Sequence, residues 1–260
     1  MTDGVTIAIP NWNHEVLLPR SIRSALRSVA VLREQGVAGE VLVVDDCSRD
    51  GSVALLRGLE ARHHRDGLRV LARAANGGLA AARNLALANA RYRHVAFLDA
   101  DNELVPENLP TVRRALIDTG AAGAYGNLLA RTLSSRAAYG AVSNESIQAR
   151  MFAENYVDAF ALFDRAQLLD VNGYEASCPA WEDYALWLHL ITSGRVVTFV
   201  PVVLGYYYTL PNSMLAEAAD AAKHRALRGR VERMFDQLKV RGKLPLTARH
   251  VRYHPALGAL

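Results

Sequence analysis

The stretch Val41-Leu42-Val43-Val44-Asp45-Asp46-Cys47-Ser48-Arg49-Asp50-Gly51 decides the fold. Its four consecutive apolar residues, without polar alternation, mark a strand buried on both faces, and the acidic, turn-rich sequence behind them ends it. Such a strand needs cover on two sides, and its flanks supply it. Glu15 to Gln35 places Leu18, Ile22, Ala25, Leu26, Val29 and Leu32 at helical spacing, and Ser52 to His63 reads as a second helix. Upstream, Thr6-Ile7-Ala8-Ile9 closed by Pro10 is a strand. Downstream come a strand at Leu68 to Leu71, an Ala-rich helix from Gly78 to Ala90, and a strand at Val95 to Leu98 that ends in Asp99-Ala100-Asp101. This β-then-α alternation predicts an α/β fold with a mainly parallel central sheet and helices on both faces. Ligands of such sheets bind beyond the carboxyl ends of the strands, where Asn11-Trp12-Asn13, Asp45-Asp46 and Asp99-Ala100-Asp101 all fall.

The second half is less regular: a helix after Pro106, a strand near Ala122 to Tyr125, a variable region from Ala130 to Asn155, a helix from Trp181 to Ser193 and a strand from Val196 to Val200. From Met214 to Val240 apolar residues recur at helical spacing among Arg and Lys, which predicts an amphipathic basic helix. The expected organisation is one domain over 1–213, with a first half at 1–110 and a second at 111–213, followed by a helical extension over 214–260.

Composition narrows the function. With 260 residues, 51% of them hydrophobic, the chain holds enough apolar sequence for a buried core. Residues 1–213 carry 20 Arg and 22 Asp/Glu, whereas 214–260 carry 10 Lys/Arg and 4 Asp/Glu, so basicity belongs to the tail. All three lysines, Lys223, Lys239 and Lys243, lie there. A P-loop enzyme and a sugar nucleotidyltransferase both need a lysine the body lacks, and neither G-x-G-x-x-G after the first strand nor G-x-S-x-G is present. Cys47 and Cys178 form no C-x-x-C pair, so a disulfide scaffold and a cysteine zinc site are excluded. Val196 to Asn212, broken by Pro201, Gly205 and Pro211, is too short to span a bilayer, and no leader-like block opens the chain. A cytoplasmic protein is expected.

Asp99 and Asp101 stand two apart at a strand end, so both point the same way, while small Ala100 lets a ligand approach the backbone. Two carboxylates without a lysine nearby suit a hard divalent cation whose remaining oxygens come from phosphate and water; the plain alternative is a turn or cap ahead of Pro106. Asp45-Asp46 reads equally as a helix cap or, beside Trp12, as part of a base pocket in which the indole stacks and a carboxylate accepts a ring N–H. Asn76-Gly77-Gly78 reads as a plain turn or as amide donors freed at a helix start, and Arg83 either pairs with Asp45 or Asp99 or stays solvated. Trp181-Glu182-Asp183 opens a helix, where acidic residues are ordinary dipole partners or a base set across a cleft from a metal.

Taken in order, Ile9-Pro10-Asn11-Trp12-Asn13, Val43 to Gly51, Asn76-Gly77-Gly78-Leu79-Ala80-Ala81-Ala82-Arg83-Asn84, Phe97-Leu98-Asp99-Ala100-Asp101 and Trp181-Glu182-Asp183 resemble the family 2 inverting glycosyltransferases of the GT-A fold. The resemblance runs from about Val5 to Pro110 and resumes from about Gly173 to Met214. It implies a nucleotide-sugar donor, UDP-linked before GDP- or TDP-linked, bound by Pro10, Trp12, Asp46, Arg83, Asp99 and Ala100. It further implies Mg²⁺ or Mn²⁺ on Asp101 and Asp99, a hydroxyl acceptor (glycan, lipid-linked sugar or small molecule) near Trp181 and Glu182, and Asp183 as catalytic base. Trp12 replaces the usual Tyr, and Cys47 a common Gly. Where many relatives carry a basic residue before a Ser-Met pair, Tyr206-Tyr207-Tyr208-Thr209 leads to Ser213-Met214, so Tyr hydroxyls or Lys223, His224 or Arg225 must substitute. The rival reading is a non-catalytic nucleotide-sugar or carbohydrate binder that kept the fold. The basic helix is expected to pack on its own domain or form a homodimer contact rather than bind nucleic acid, with peripheral membrane contact as the alternative.

Overall fold

The computed structural model describes residues 2–147, 151, 155–177, 180–210 and 251–253. Its first half is the alternation read above: β1 (Thr2–Asn11), α1 (Leu18–Glu34), β2 (Gly39–Asp45), α2 (Ser52–His63), β3 (Leu68–Ala72), α3 (Leu79–Asn89) and β4 (Tyr92–Phe97). Then follow β5 (Glu103–Leu104), α4 (Leu109–Thr119), β6 (Gly123–Arg131), β7 (Gly140–Val142), β8 (Leu162–Asp164), α5 (Arg165–Asp170), α6 (Glu182–Thr192), β9 (Val197–Tyr208) and β10 (Val251–Tyr253). The sheet runs β10-β9-β6-β8-β4-β1-β2-β3.

Strand alternation divides the core as the Val41 run requires. Val41 and Val43 of β2 turn to one face, under Ile22, Val29 and Leu32 of α1 and Val112 and Leu116 of α4. Leu42 and Val44 turn to the other, with Ala82 and Ala86 of α3 and Trp187 and Leu190 of α6. The alanines of α3 let that helix lie close to the sheet, and the wide rings of Trp187, Phe163 and Tyr125 fill the space further along.

The expected mainly parallel sheet is present, and it includes antiparallel strands. β1, β2, β3 and β4 are mutually parallel, but β8 inserts antiparallel between β4 and β6. β8 is three residues long, too short to give a periodic signal. β9 extends eight residues past the expected end at Val200, because the register with β6 jumps from Gly126↔Val200 to Asn127↔Val203 and the bulge accommodates Pro201 without a ladder donor. Gly205 is where β5 closes on β9: a Cβ there would lie 2.4 Å from the Phe160 ring and 2.6 Å from the Glu103 carbonyl. The helix expected after Pro106 begins at Leu109, behind a 3₁₀ turn over Pro106–Asn108. The basic helix expected over Met214 to Val240 lies outside the described residues, as do Lys223, His224 and Arg225. Among the described residues, no helix is long and apolar enough to cross a membrane.

Candidate active site

The ends of β1, β2 and β4 meet as one edge, and hydrogen bonds between the loops that follow hold it. Asp45, fully buried, accepts from Asn11 Nδ2 at 2.7 Å, from Ser48 Oγ at 2.6 Å and from the Ser48 amide at 2.9 Å. Asn13 accepts the Arg49 amide at 2.7 Å, and Glu15 accepts that of Gly51 at 2.9 Å. Asn13 and Cys47 adopt the left-handed conformation at φ 59° and 62°, which Asn tolerates better than most residues. Trp12 emerges from this braced turn 50% exposed, with its ring open to stacking, while Pro10 is buried behind it.

Asp46 reaches this edge with a set of partners that the sequence did not announce. Its carboxylate accepts the Gly78 amide at 2.7 Å and the Gly77 amide at 3.1 Å, and it pairs with Arg73, which follows β3. It thus anchors the start of α3, and any base N–H directed at it must share those oxygens. Gly78 takes φ 84°, a conformation glycine adopts without strain.

The acidic end of β4 is organised by one buried cation. Arg83 of α3, 2% exposed, donates to Asp99 Oδ1 at 2.8 Å and to Glu182 Oε1 at 2.7 Å, and lies 5.1 Å over the Tyr174 ring. Burial alone would lower the Arg83 pKa, but Asp99 and Glu182 outweigh it and raise it well above the usual value. The expected pairing of Arg83 with Asp99 is present, and Glu182, 3% exposed and ion-paired, faces the interior. Together they tie the start of α6 to the end of β4.

Asp101 is held by its backbone: the Arg20 guanidinium donates to its carbonyl at 2.5 Å while stacking 3.6 Å from the Tyr208 ring. Burial and the neighbouring Asp99 charge push the Asp101 carboxyl up to about 7. Asp99 retains its second oxygen beyond the Arg83 contact, and Ala100 is buried between the two. Among the described residues no group of three or more His, Cys, Asp or Glu side chains is arranged to hold a metal. The pair nonetheless fits Mg²⁺ or Mn²⁺: both donors are hard oxygens, negative charge accumulates there, and a diphosphate and water would complete the ligand set.

Asp183 lies in the first turn of α6, and Oδ1 accepts the Tyr184 amide at 2.6 Å. Burial, Glu182 and Asp158 push its carboxyl up to about 8. Asp158 itself is raised to about 7 by burial and Asp99. Tyr207 belongs to the same space. Burial and the charges of Asp158, Asp99, Asp101 and Asp183 drive its phenol far up, so the hydroxyl stays protonated and able to donate. Trp181 packs against Tyr184 at 5.6 Å between ring centres. Asp158, Asn155 and Arg73 sit in loops without periodicity or motif, and no local signal marked them.

The family model "Glycosyl transferase family 2" matches residues 6–166. The chain belongs to glycosyl transferase family 2. Its relatives include the succinoglycan biosynthesis protein ExoO of Rhizobium meliloti, 36% identical over 120 residues; the match covers 46% of this chain and 31% of that one. The chain thus spans about a third of that relative's length. The fold matches the GT-A structure of S. aureus TarS in complex with UDP-GlcNAc at TM-score 0.71 and 16% identity, covering 95% of this chain and 69% of that one. The mannosyltransferase PcManGT from Pyrobaculum calidifontis, in complex with GDP-Man and Mn²⁺, matches at TM-score 0.69 and 19% identity, over 94% and 66% of the two chains. This family 2 chain therefore has the GT-A fold, with its Asp99-Ala100-Asp101 turn at the end of β4 and Asp183 at the start of α6.

Proposed function

We propose that the protein is a metal-dependent, inverting glycosyltransferase that moves a hexose-type sugar from a nucleotide-diphosphate sugar, UDP-linked before GDP- or TDP-linked, to an acceptor hydroxyl. The observation that carries this reading is the Asp99–Arg83–Glu182 bridge. It ties the end of β4 to the start of α6, where Asp183 follows Glu182, and so supports reading the β4 carboxylates and Asp183 as two sides of one centre.

Trp12 stacks on the base, with the Pro10 backbone and Asp46 closing the pocket. Asp101 and Asp99 would hold Mg²⁺ or Mn²⁺, which supplies neutralisation of charge on the departing diphosphate. Asp183 takes the proton of the acceptor O–H. The acceptor oxygen bonds to the anomeric carbon as the bond from that carbon to the phosphate oxygen breaks, and its electron pair leaves with the nucleoside diphosphate. A single displacement inverts the centre through an oxocarbenium-like state. Tyr207 donates to a donor oxygen in place of the basic residue missing after the tyrosines. A cytoplasmic site of action, with the acceptor free or presented at a membrane surface, suits this chemistry.

Calorimetric titration with UDP, GDP, TDP, CDP and ADP, each with and without Mn²⁺, tests the reading. Metal-dependent preference for a base carrying a ring N–H supports it, and Asp101→Ala removes that dependence. Binding to none of the five overturns it in favour of a non-catalytic role.

A further inference from the structure

Asp183 is not isolated on its helix. Trp187 stands four residues further along α6, one turn away on the same face, and its indole N–H donates to the Asp158 carbonyl at 3.3 Å. Asp158 is fixed in that position. Its amide donates to Ser143 Oγ at 2.9 Å and its Oδ1 accepts the Phe160 amide at 2.8 Å, while no donor among the described residues meets its other carboxylate oxygen. Three residues earlier, Asn155 Nδ2 lies 3.3 Å from each oxygen of Asp183. The Asn155 oxygen accepts the Val157 amide at 3.3 Å, which fixes which end of the side chain faces Asp183.

We propose that Asn155 and Asp158 complete the reaction centre, Asn155 as the positioning residue of the Asp183 carboxylate and Asp158 as a second carboxylate facing the same acceptor hydroxyl. This rests on the reading of Asp183 as base.

The two residues act on Asp183 in opposite directions. Hydrogen bonds from Asn155 favour the charged carboxylate, whereas the Asp158 charge disfavours it. Glu182 on the same helix adds to that repulsion, Arg83 from α3 opposes it, and the phenols of Tyr174 and Tyr207 stay neutral beside it. Asp158 is itself raised by burial and by Asp99 and Asp101, and Asp183 by burial, Glu182 and Asp158, so the two carboxyls resist ionising together. One ionised carboxylate is then ready to take the acceptor proton, and the protonated partner can donate to a neighbouring sugar oxygen.

Thermal unfolding of the full chain between pH 5 and 9 reads this pair without any substrate. Asp158→Asn and Asp183→Asn should each gain melting temperature over the parent at pH 9 and little at pH 5, and the double variant should gain clearly less than the sum. Asn155→Ala should move the midpoint of the alkaline loss upward and Asp158→Asn downward, with Asn155→Ser, which keeps a donor, falling between the parent and Asn155→Ala. Additive gains, or a midpoint unmoved by Asn155→Ala, overturn the proposal. A non-additive pair in a chain that binds none of the five nucleoside diphosphates upholds the pair while removing the base reading. Additive gains alongside UDP release from UDP-glucose that only Asp183→Asn abolishes do the reverse.

Discussion

At the residue scale, three side chains separate binding, scaffold and chemistry. Trp12 is half exposed, so its removal uncovers little core, whereas stacking an aromatic on a base is worth about 1–3 kcal/mol. Trp12→Ala should therefore weaken nucleoside diphosphate binding by about 5- to 150-fold in calorimetry and leave the melting temperature in place. Arg83 is the opposite case. Arg83→Met would leave Glu182 buried without its cation and Asp99 half-buried without its partner, and breaking a buried pair such as Arg83–Glu182 costs about 3–5 kcal/mol, which denaturant unfolding would read directly. Asp183→Asn keeps the shape and the Tyr184 contact but cannot take a proton. Transfer should fall by about 10²- to 10⁴-fold with donor affinity retained, and unchanged turnover would reject Asp183 as the base.

At the element scale, legibility followed the range over which each signal acts. Val41 to Val44 declared a two-faced strand because four neighbours suffice to show it, and the β4 end showed its acids because Asp99 and Asp101 share one turn. Pro201 and Gly205 read as breaks because their reasons are non-local: the bulge against Gly126 and the closeness of Phe160 and Glu103 become visible only when β6, β5 and β9 are together. Asp158 and Asn155 escaped notice for the same reason, since their meaning lies in a helix that starts more than twenty residues later. Arg83 was legible as a partner of Asp99, but its second contact, with Glu182, was not. One junction between such elements can be tested alone. Asn84 of α3 exchanges 2.8 Å hydrogen bonds with the backbone of Tyr174, and Gly173 beside it sits at φ 66° with space for a Cβ only 2.5 Å from Asn84 Oδ1. Gly173→Ala should lower stability by about 1–2 kcal/mol from backbone strain alone and tilt Tyr174 away from Arg83, seen as a lower urea midpoint.

At the scale of the whole molecule, buried titratable groups in β4 and at the candidate active site give opposing pH trends. His94 in β4 is fully buried, neither ring nitrogen has a hydrogen-bond partner among the described residues, and burial with Arg113 and Arg93 lowers its pKa from 6.5 to about 4. The unfolded chain binds that proton first as pH falls, so stability is lost from about pH 6.5 down to about 4. Asp101, Asp158 and Asp183 are shifted the other way, from 3.8 to about 7, 7 and 8. There the folded chain holds protons that the unfolded one has released, and stability falls as pH rises from about 4 through those values. Between about pH 4 and 6.5 the two trends oppose each other, three carboxyls against one imidazole, so stability falls as pH rises; the alkaline limb above about pH 6.5 belongs to the candidate active site alone. His94→Leu should steepen the loss between about pH 4 and 6.5 by on the order of 2–3 kcal/mol and leave the alkaline limb unchanged. Added Mn²⁺ with UDP should flatten the alkaline limb alone, because a cation held by Asp101 and Asp99 favours the charged form of Asp101. Melting curves from pH 4 to 9 with and without that addition separate the two, and an alkaline limb insensitive to metal and nucleotide would detach it from the carboxylates at the end of β4.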